Sequence, residues 1–596
     1  MKTFVTGTAG IRSTRLAPVF STALVLLAGA PILAAPVTPK SASAFVDSIG
    51  VNTHVERGGP YGNRTTFSNA LGDLGVKHVR DGVDPNNPAA SDYLKTLNTN
   101  LGIKSTIITD WGPNSLSTWG SSNPLGTQLN IIRDRLGASM IAGITGPNEP
   151  NLKPNSTWAG DTRTWMKNLW SLTRTNSSYS ALSGIPIIAP AIAGDTRAAS
   201  RTTLKSLFTN AGENIENYIS NAAMHPYPSA GRPPEINETI IAELTGNREL
   251  YPTKPFVVTE TGYHNAVSGG GAASETAAGI YAPRLFLDYF GYRGITRTFW
   301  YELFDEDFGT SGISTSNAEE NFGLFRNNGS RKPAGTAVKN LVALLGGSGT
   351  PTLSALDYTL SNSNVRHVLL RKSNGDYFLA VWLPTYVSRW YEIPAVDENP
   401  ADQSCTLTLT SAKTLTSYDN LDTTLSTANL GNGTTFNFTV SERVKLIKIA
   451  SSSTRYEFEN LTRQAISSGD ITSAINEAAL SNGSSAHLAA NATGDFATYG
   501  VSVPQAGTYR ILLGVKKYTG RGIFQLATSD SLSGTYTNRG AAQDTYNTGA
   551  TFPQLDLGTV TFSSAGTKSF RFTVTGKNSS SSGFGVTLDY VQLNPA

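Results

Sequence analysis

Between residues 45 and about 345, short apolar runs alternate with longer stretches in which apolar residues recur every three or four positions. The runs are Ser48–His54, Val76–Val83, Lys104–Asp110, Met140–Gly146, Ile185–Ile192, Ala222–His225, Pro255–Glu260 and Arg297–Tyr301. They are strand-length, rich in β-branched residues, and bounded by Gly, Pro, Asn or Asp. The stretches between them carry helical spacing. Trp165, Leu169 and Leu172 share one face of a segment that Asp161 is placed to cap, and Glu275–Tyr289 and Ala334–Leu345 repeat the pattern. Strand–helix alternation calls for parallel strands joined by helical crossovers. Eight such units predict a closed (β/α)₈ TIM barrel over residues 45–347.

Beyond Leu345 the period changes. Val365–Arg371, Tyr377–Trp382, Cys405–Leu409 and Arg443–Ile449 are short strand-like segments separated by Asn-, Gly-, Asp- and Ser-rich turns. They predict an antiparallel β-sandwich over 348–450. Ser451–Arg455 is a polar linker, and 456–596 reads as a second all-β unit, a jelly-roll-like sandwich. At the other end, Lys2, Arg12 and Arg15 precede an apolar run, Leu16–Leu33, followed by small residues and Pro36. This is the pattern of an export signal, with cleavage compatible with Ala30, Ala34 or Ala44, and residues 1–44 are assigned to signal and leader. A secreted, extracellular protein is therefore expected, with no membrane association after cleavage.

Composition narrows the functional classes. Lys and Arg number 47 against 44 Asp and Glu, a net charge of +3 over 596 residues. No basic surface for nucleic acid is implied. Cys405 is the only cysteine, so neither an internal disulfide nor a cysteine-based zinc site is available. Nothing in the chain calls for a partner subunit, and a monomer is expected.

Two segments carry candidate chemistry. Ile144-Thr145-Gly146-Pro147-Asn148-Glu149-Pro150 and Phe256-Val257-Val258-Thr259-Glu260-Thr261-Gly262-Tyr263 are each an apolar strand that ends in a glutamate and a turn. In a parallel barrel the catalytic groups gather at the C-terminal strand ends. Glu149 closes the fourth strand and Glu260 the seventh, so the two face each other across the barrel mouth. Paired carboxylates flanking a bond are the machinery of glycoside cleavage. Arg80, ending the second strand, is a cation placed to favour ionised Glu260. Glu149 has no cation near it in sequence, which suits a proton donor. Asn148 has an amide suited to a sugar hydroxyl. His54 and Asp110 end the first and third strands, and Trp111 and Trp119 follow the third, either as sugar subsites or as packing.

In this strand order, Asn148-Glu149-Pro150 and Glu260 resemble the clan A glycoside hydrolases, most of all families 39 and 5 and less so family 30. Arg80, His225-Pro226-Tyr227 and Trp300 match further positions of that pattern. The resemblance covers about residues 45–345. It implies a retaining mechanism with Glu149 as acid/base, Glu260 as nucleophile and no catalytic cofactor. It also implies substrate contacts from Asn148, Arg80, His225, Tyr227 and Trp300, while Tyr263 is placed near substrate because it follows the nucleophile strand. Glu302, Asp305, Glu306 and Asp307 crowd the end of the eighth strand and match no one family. Tyr456-Glu457-Phe458-Glu459-Asn460 and Leu588-Asp589-Tyr590 are similar to carbohydrate-binding modules of families 6 and 35. That resemblance implies a structural Ca²⁺ held by Glu457, Glu459 and Asp589. The reading is thus a hydrolase of β-linked polysaccharide or oligosaccharide. The alternatives are a transglycosylase, or a sugar-binding scaffold on an inactive barrel.

Overall fold

A computed structural model describes residues 36–595 apart from 112–123, 154–155, 194–208, 211–212, 229–230, 236–237, 269, 308–311, 352, 390, 451–453 and 504–505. The export signal and Trp119 lie outside the described residues. Eight parallel strands follow the expected order: Ile49–Asn52, His78–Gly82, Lys104–Ile108, Ile141–Thr145, Ile187–Ile188, Ala222–Met224, Phe256–Thr261 and Ile295–Trp300. The first strand pairs with both the second and the eighth, and a parallel bridge between Ile188 and Asn221 joins the fifth to the sixth, closing the barrel. Phe256–Thr261 is buried along its whole length, as expected for a parallel strand covered on both faces.

The helix expected after the fourth strand spans Trp158–Thr175 and buries Trp165 and Leu169. Thr157, not Asp161, sits at its N-cap. Asp161 lies in the first turn, where a carboxylate opposes the positive helix end. Helix Glu275–Gly291 is buried almost all round because the barrel lies on one side of it and the accessory sheet on the other. Strand Tyr377–Trp382 of that sheet shows why it can serve two cores. Phe378, Ala380 and Trp382 join the barrel core, while Tyr377, Leu379 and Val381 face the sandwich's own core. That is the period-two alternation of a strand applied to two apolar layers. The seam is pinned by Arg284, which makes a bidentate pair with Glu235 at 2.6 and 2.9 Å, both side chains fully buried. Trp382 Nε1 donates to the same Glu235 carboxylate at 2.5 Å.

The accessory sheet bends over itself along one long strand, Gln403–Asp419. Its first half pairs with Tyr358–Leu360 and its second half with Lys445–Ile449, across a register break between Thr408 and Lys413. One strand of this sheet comes from the segment assigned by sequence to the leader. Lys40–Ser41 runs parallel to Leu370–Arg371, Val37 bridges Leu356, and helix Ala42–Asp47 follows. Cleavage after Ala44 would remove that strand and cut the helix, whereas cleavage after Ala30 or Ala34 spares both. The C-terminal unit is two antiparallel sheets over one core that includes Phe458, Tyr499, Phe524 and Phe572.

Candidate functional site

A cleft of about 1190 Å³ opens at the C-terminal ends of the barrel strands. Glu149 and Glu260 both line it. One carboxylate oxygen of each, together with a ring nitrogen of His225, lie within 4.8 Å of one another. Glu149 adopts a left-handed backbone (φ 41°, ψ 58°), a conformation that costs an L-residue about 1–3 kcal/mol. Pro150 follows at once and starts a short 3₁₀ turn. The turn projects the Glu149 side chain over the barrel mouth.

Glu260 is only 8% exposed and is held on both oxygens. Arg80 Nη1 donates to Oε1 at 2.7 Å, and the Tyr227 hydroxyl donates to Oε2 at 2.9 Å. Arg80 also donates to Asn52 Oδ1 at 3.0 Å and, through Nη2, to Asn148 Oδ1 at 2.6 Å. One guanidinium thus fixes the nucleophile candidate and the amide beside the acid candidate together. Burial pushes the Glu260 carboxyl up, but the charges of His225 and Arg80 and the hydrogen bonds from Arg80 and Tyr227 outweigh it and hold the group below its ordinary range. Burial and the neighbouring Glu260 charge hold the Tyr227 hydroxyl far above its usual range, so it remains a donor. His225 Nδ1 lies 2.7 Å from Glu149 Oε1 and 3.5 Å from Glu260 Oε2. It sits between the two carboxylates.

The structure therefore brings Glu149, Glu260, Asn148, Arg80, His225 and Tyr227 together. It places two other expected residues elsewhere. Trp300 is 1% exposed, donates through Nε1 to Phe322 O at 3.2 Å, and packs against Tyr263 and Phe286. Tyr263 is 3% exposed and its hydroxyl donates to Arg232 O at 2.7 Å. Neither lines the cleft. The eighth strand ends at Trp300, whose side chain points to helix Glu275–Gly291. Alternation then turns the next residue, Tyr301, into the cleft. Gly262 permits this, because a Cβ there would lie 2.5 Å from Tyr301 O. Sequence reasoning also missed Glu56, Glu319 and Asn52 on the cleft wall. Asn52 ends its strand and Arg80 sits within the next one, but Glu319 comes from a loop with no strand-end signature.

His54 and Asp110 line the cleft, with Asp110 paired to Lys153 at 2.8 Å. Trp111 is fully buried beneath. The acidic group after the eighth strand divides. Asp305 is a buried partner of Lys332 at 2.7 Å. Glu302 accepts from the Tyr61 hydroxyl at 2.9 Å and lies 3.2 Å from His54 Nε2, and Glu306 pairs with Arg57. These groups form a charged wall behind the cleft.

In the C-terminal unit, Asp589 accepts from Ser481 N at 3.0 and 3.2 Å, Glu457 Oε1 from Ser481 Oγ at 2.9 Å, and Glu459 Oε1 from Asn482 Nδ2 at 3.1 Å. Glu457 Oε2 and Glu459 Oε2 are buried without a hydrogen-bond partner. Burial, with repulsion from Glu457 and Glu459, pushes the Asp589 carboxyl up to about 6 despite the Ser481 amide. Idle carboxylate oxygens suit a hard, oxygen-seeking cation, but the three carboxylates do not gather as closely as Glu149, His225 and Glu260 do; among the described residues the other group whose ligand atoms all lie within 4.8 Å of one another is His54, Glu302 and Glu306.

No family model matches this chain, and no curated protein matches it. Among solved structures it is similar to a family 39 glycoside hydrolase from the gut symbiont Bacteroides cellulosilyticus WH2. That match has 14% identity and a TM-score of 0.47, over 70% of this chain and 83% of the other. It is also similar to a glucosidase from Croceicoccus marinus, at 10% identity and a TM-score of 0.44, over 70% and 97% of the two chains. A third is an exo-β-1,4-mannosidase from Opitutaceae bacterium strain TAV5, at 14% identity and a TM-score of 0.36, over 52% and 59%.

Proposed function

We propose that this protein is a secreted, retaining glycoside hydrolase acting on β-linked polysaccharide or oligosaccharide. The observation that carries the reading is the approach of Glu149 and Glu260 oxygens to within 4.8 Å in an open cleft. Retaining enzymes hold their carboxyl groups about 5–5.5 Å apart, whereas inverting ones leave about 6.5–9.5 Å for a water. Glu260, kept ionised by Arg80 and His225, attacks the anomeric carbon while Glu149 gives its proton to the departing oxygen. Glu149, now ionised, then takes a proton from water, which displaces Glu260 from the sugar. Tyr227 donates to the oxygen of Glu260 that does not receive Arg80. Asn148, oriented by Arg80, offers its amide nitrogen to the substrate.

The C-terminal sandwich is read as a carbohydrate-binding module in which Glu457, Glu459 and Asp589 would hold a structural Ca²⁺. Export is supported by the charged and apolar order of the N-terminus.

The test is chemical rescue. Glu260→Gly should lose nearly all activity on an activated aryl glycoside and regain turnover with azide, giving a glycosyl azide of inverted configuration. Full activity in that variant, or a wild-type product that first appears with inverted configuration, overturns the assignment.

A further inference from the structure

A second cavity, of about 280 Å³, lies at the seam between the accessory sandwich and the C-terminal module. Both units build it. The accessory sandwich supplies Arg371, the last residue of strand Arg366–Arg371, and Lys372 from the turn that follows. The module supplies Arg510 from strand Gly507–Val515, Asp556 from strand Gln554–Phe562 and Asn594 from the last strand.

Three cations and one carboxylate thus line the cavity, and that carboxylate is ion-paired with Arg510; Lys372 Nζ donates to Leu344 O at 3.0 Å, with Asp376 close enough to favour its charge. Arg510 Nη1 also reaches Ser373 O across the seam at 3.4 Å. Arg371 is 3% exposed and Asn594 1% exposed, so part of the wall is closed to bulk water. Asn594 Oδ1 accepts from Gln592 Nε2 at 2.8 Å, but its Nδ2 is buried with no hydrogen-bond partner. Burial lowers the proton affinity of both Arg371 and Lys372, so holding these charges here has a cost. Converging positive charge with an idle amide donor is the donor set of an oxyanion site. Guanidinium forks match planar or tetrahedral oxyanions in geometry, and each such bond is charge-assisted. The volume falls just below the range of drug-sized ligand pockets, which run about 300–1,000 Å³. That size admits an inorganic oxyanion with a few waters, or one anionic sugar group.

We propose that this seam cavity binds a small oxyanion that bridges the accessory sandwich and the C-terminal module. The shared chemistry is a compact anion with several acceptor oxygens, supplied either as free phosphate or sulfate or as the carboxylate of a uronic acid.

Titration calorimetry on the full chain tests this with three probes: inorganic phosphate, inorganic sulfate and glucuronate. At least one should bind with a dissociation constant in the millimolar range or tighter and raise the unfolding temperature. The tightest of the three names the source. Arg510→Gln and Lys372→Gln, both at partly exposed positions, should each weaken that binding by about tenfold or more. Arg133→Gln, a surface change on the barrel, should leave it unchanged. Absence of binding for all three probes overturns the proposal. Binding that survives both seam substitutions at wild-type strength overturns it as well.

Discussion

Arg80 offers the sharpest test of how the cleft sets the charge of Glu260. In Arg80→Met the side chain keeps its bulk but loses the 2.7 Å bond to Glu260 and the 2.6 Å bond to Asn148. Glu260 then remains buried, with only His225 and Tyr227 to favour its ionised form. One charge-assisted hydrogen bond is worth about 1.5–3 kcal/mol. At 1.36 kcal/mol per factor of ten, kcat/KM should fall by about 10- to 150-fold near the acid limb.

The loss has two parts that pH separates. Wild-type Glu260 titrates below the ordinary glutamate range, so it is ionised at mildly acid pH. Removing Arg80 raises that value, and the acid limb of the kcat/KM profile, which reports the free enzyme, moves to higher pH. Raising the pH should restore the part due to ionisation. The part due to a misoriented Asn148 should persist at every pH. The assay is a kcat/KM profile on an activated aryl glycoside, with Tyr227→Phe as comparison. That variant loses one hydrogen bond and no charge, so its limb should move in the same direction by less. An acid limb that stays in place in Arg80→Met would mean that Arg80 does not hold Glu260 ionised, whatever the size of the rate loss.

Glu243 is buried, and burial, then the charge of Glu149, pushes its carboxyl up to about 8 from the usual 4.5. A raised folded value means that its contribution to stability is complete below 4.5 and is lost as the pH climbs toward 8, at about 1.4 kcal/mol per pH unit. Glu243→Gln should flatten the decline of unfolding free energy with pH over that window, and parallel curves for the two proteins would contradict it. Ca²⁺ added to metal-stripped protein should raise the unfolding temperature by a few degrees, and Asp589→Asn should abolish the rise. An equal rise in the variant would place the cation elsewhere. Glu56, Asp84 and Glu319 line the cleft as carboxylates. An aryl β-glucoside should therefore be cleaved faster than the matching β-glucuronide, with Glu319→Gln narrowing the gap; a preference for the glucuronide would refute this.

Strand order and strand-end chemistry were legible because both follow from local pattern. A strand's identity lies in its apolar run, and the C-terminal end of a parallel strand faces the barrel mouth. Glu149, Glu260, Arg80 and Asn148 needed nothing more. Contacts made at a distance in sequence were not legible. Glu319 reaches the cleft from a loop whose path is set by Asn265, Asn321 and Lys332. Nor does anything in the leader's composition say that Lys40–Ser41 completes a sheet more than 300 residues away.

Trp300 shows how narrow the margin can be. Sequence placed the eighth strand at Arg297–Tyr301, and the strand observed is Ile295–Trp300. Successive side chains of a strand point to opposite faces, so of the neighbours Trp300 and Tyr301 one looks into the cleft and the other at the helices. An indole at the rim and an indole under a helix are equally apolar, and hydrophobicity alone does not choose between them. What chooses is the partner set: Trp300 finds Phe286 and Tyr263 on the helix side, while Tyr301 meets Tyr227 and Phe322 beside Glu260. The phenol suits its place, since its hydroxyl reaches Glu319 at 3.4 Å across a polar wall where an indole would offer a donor in another direction.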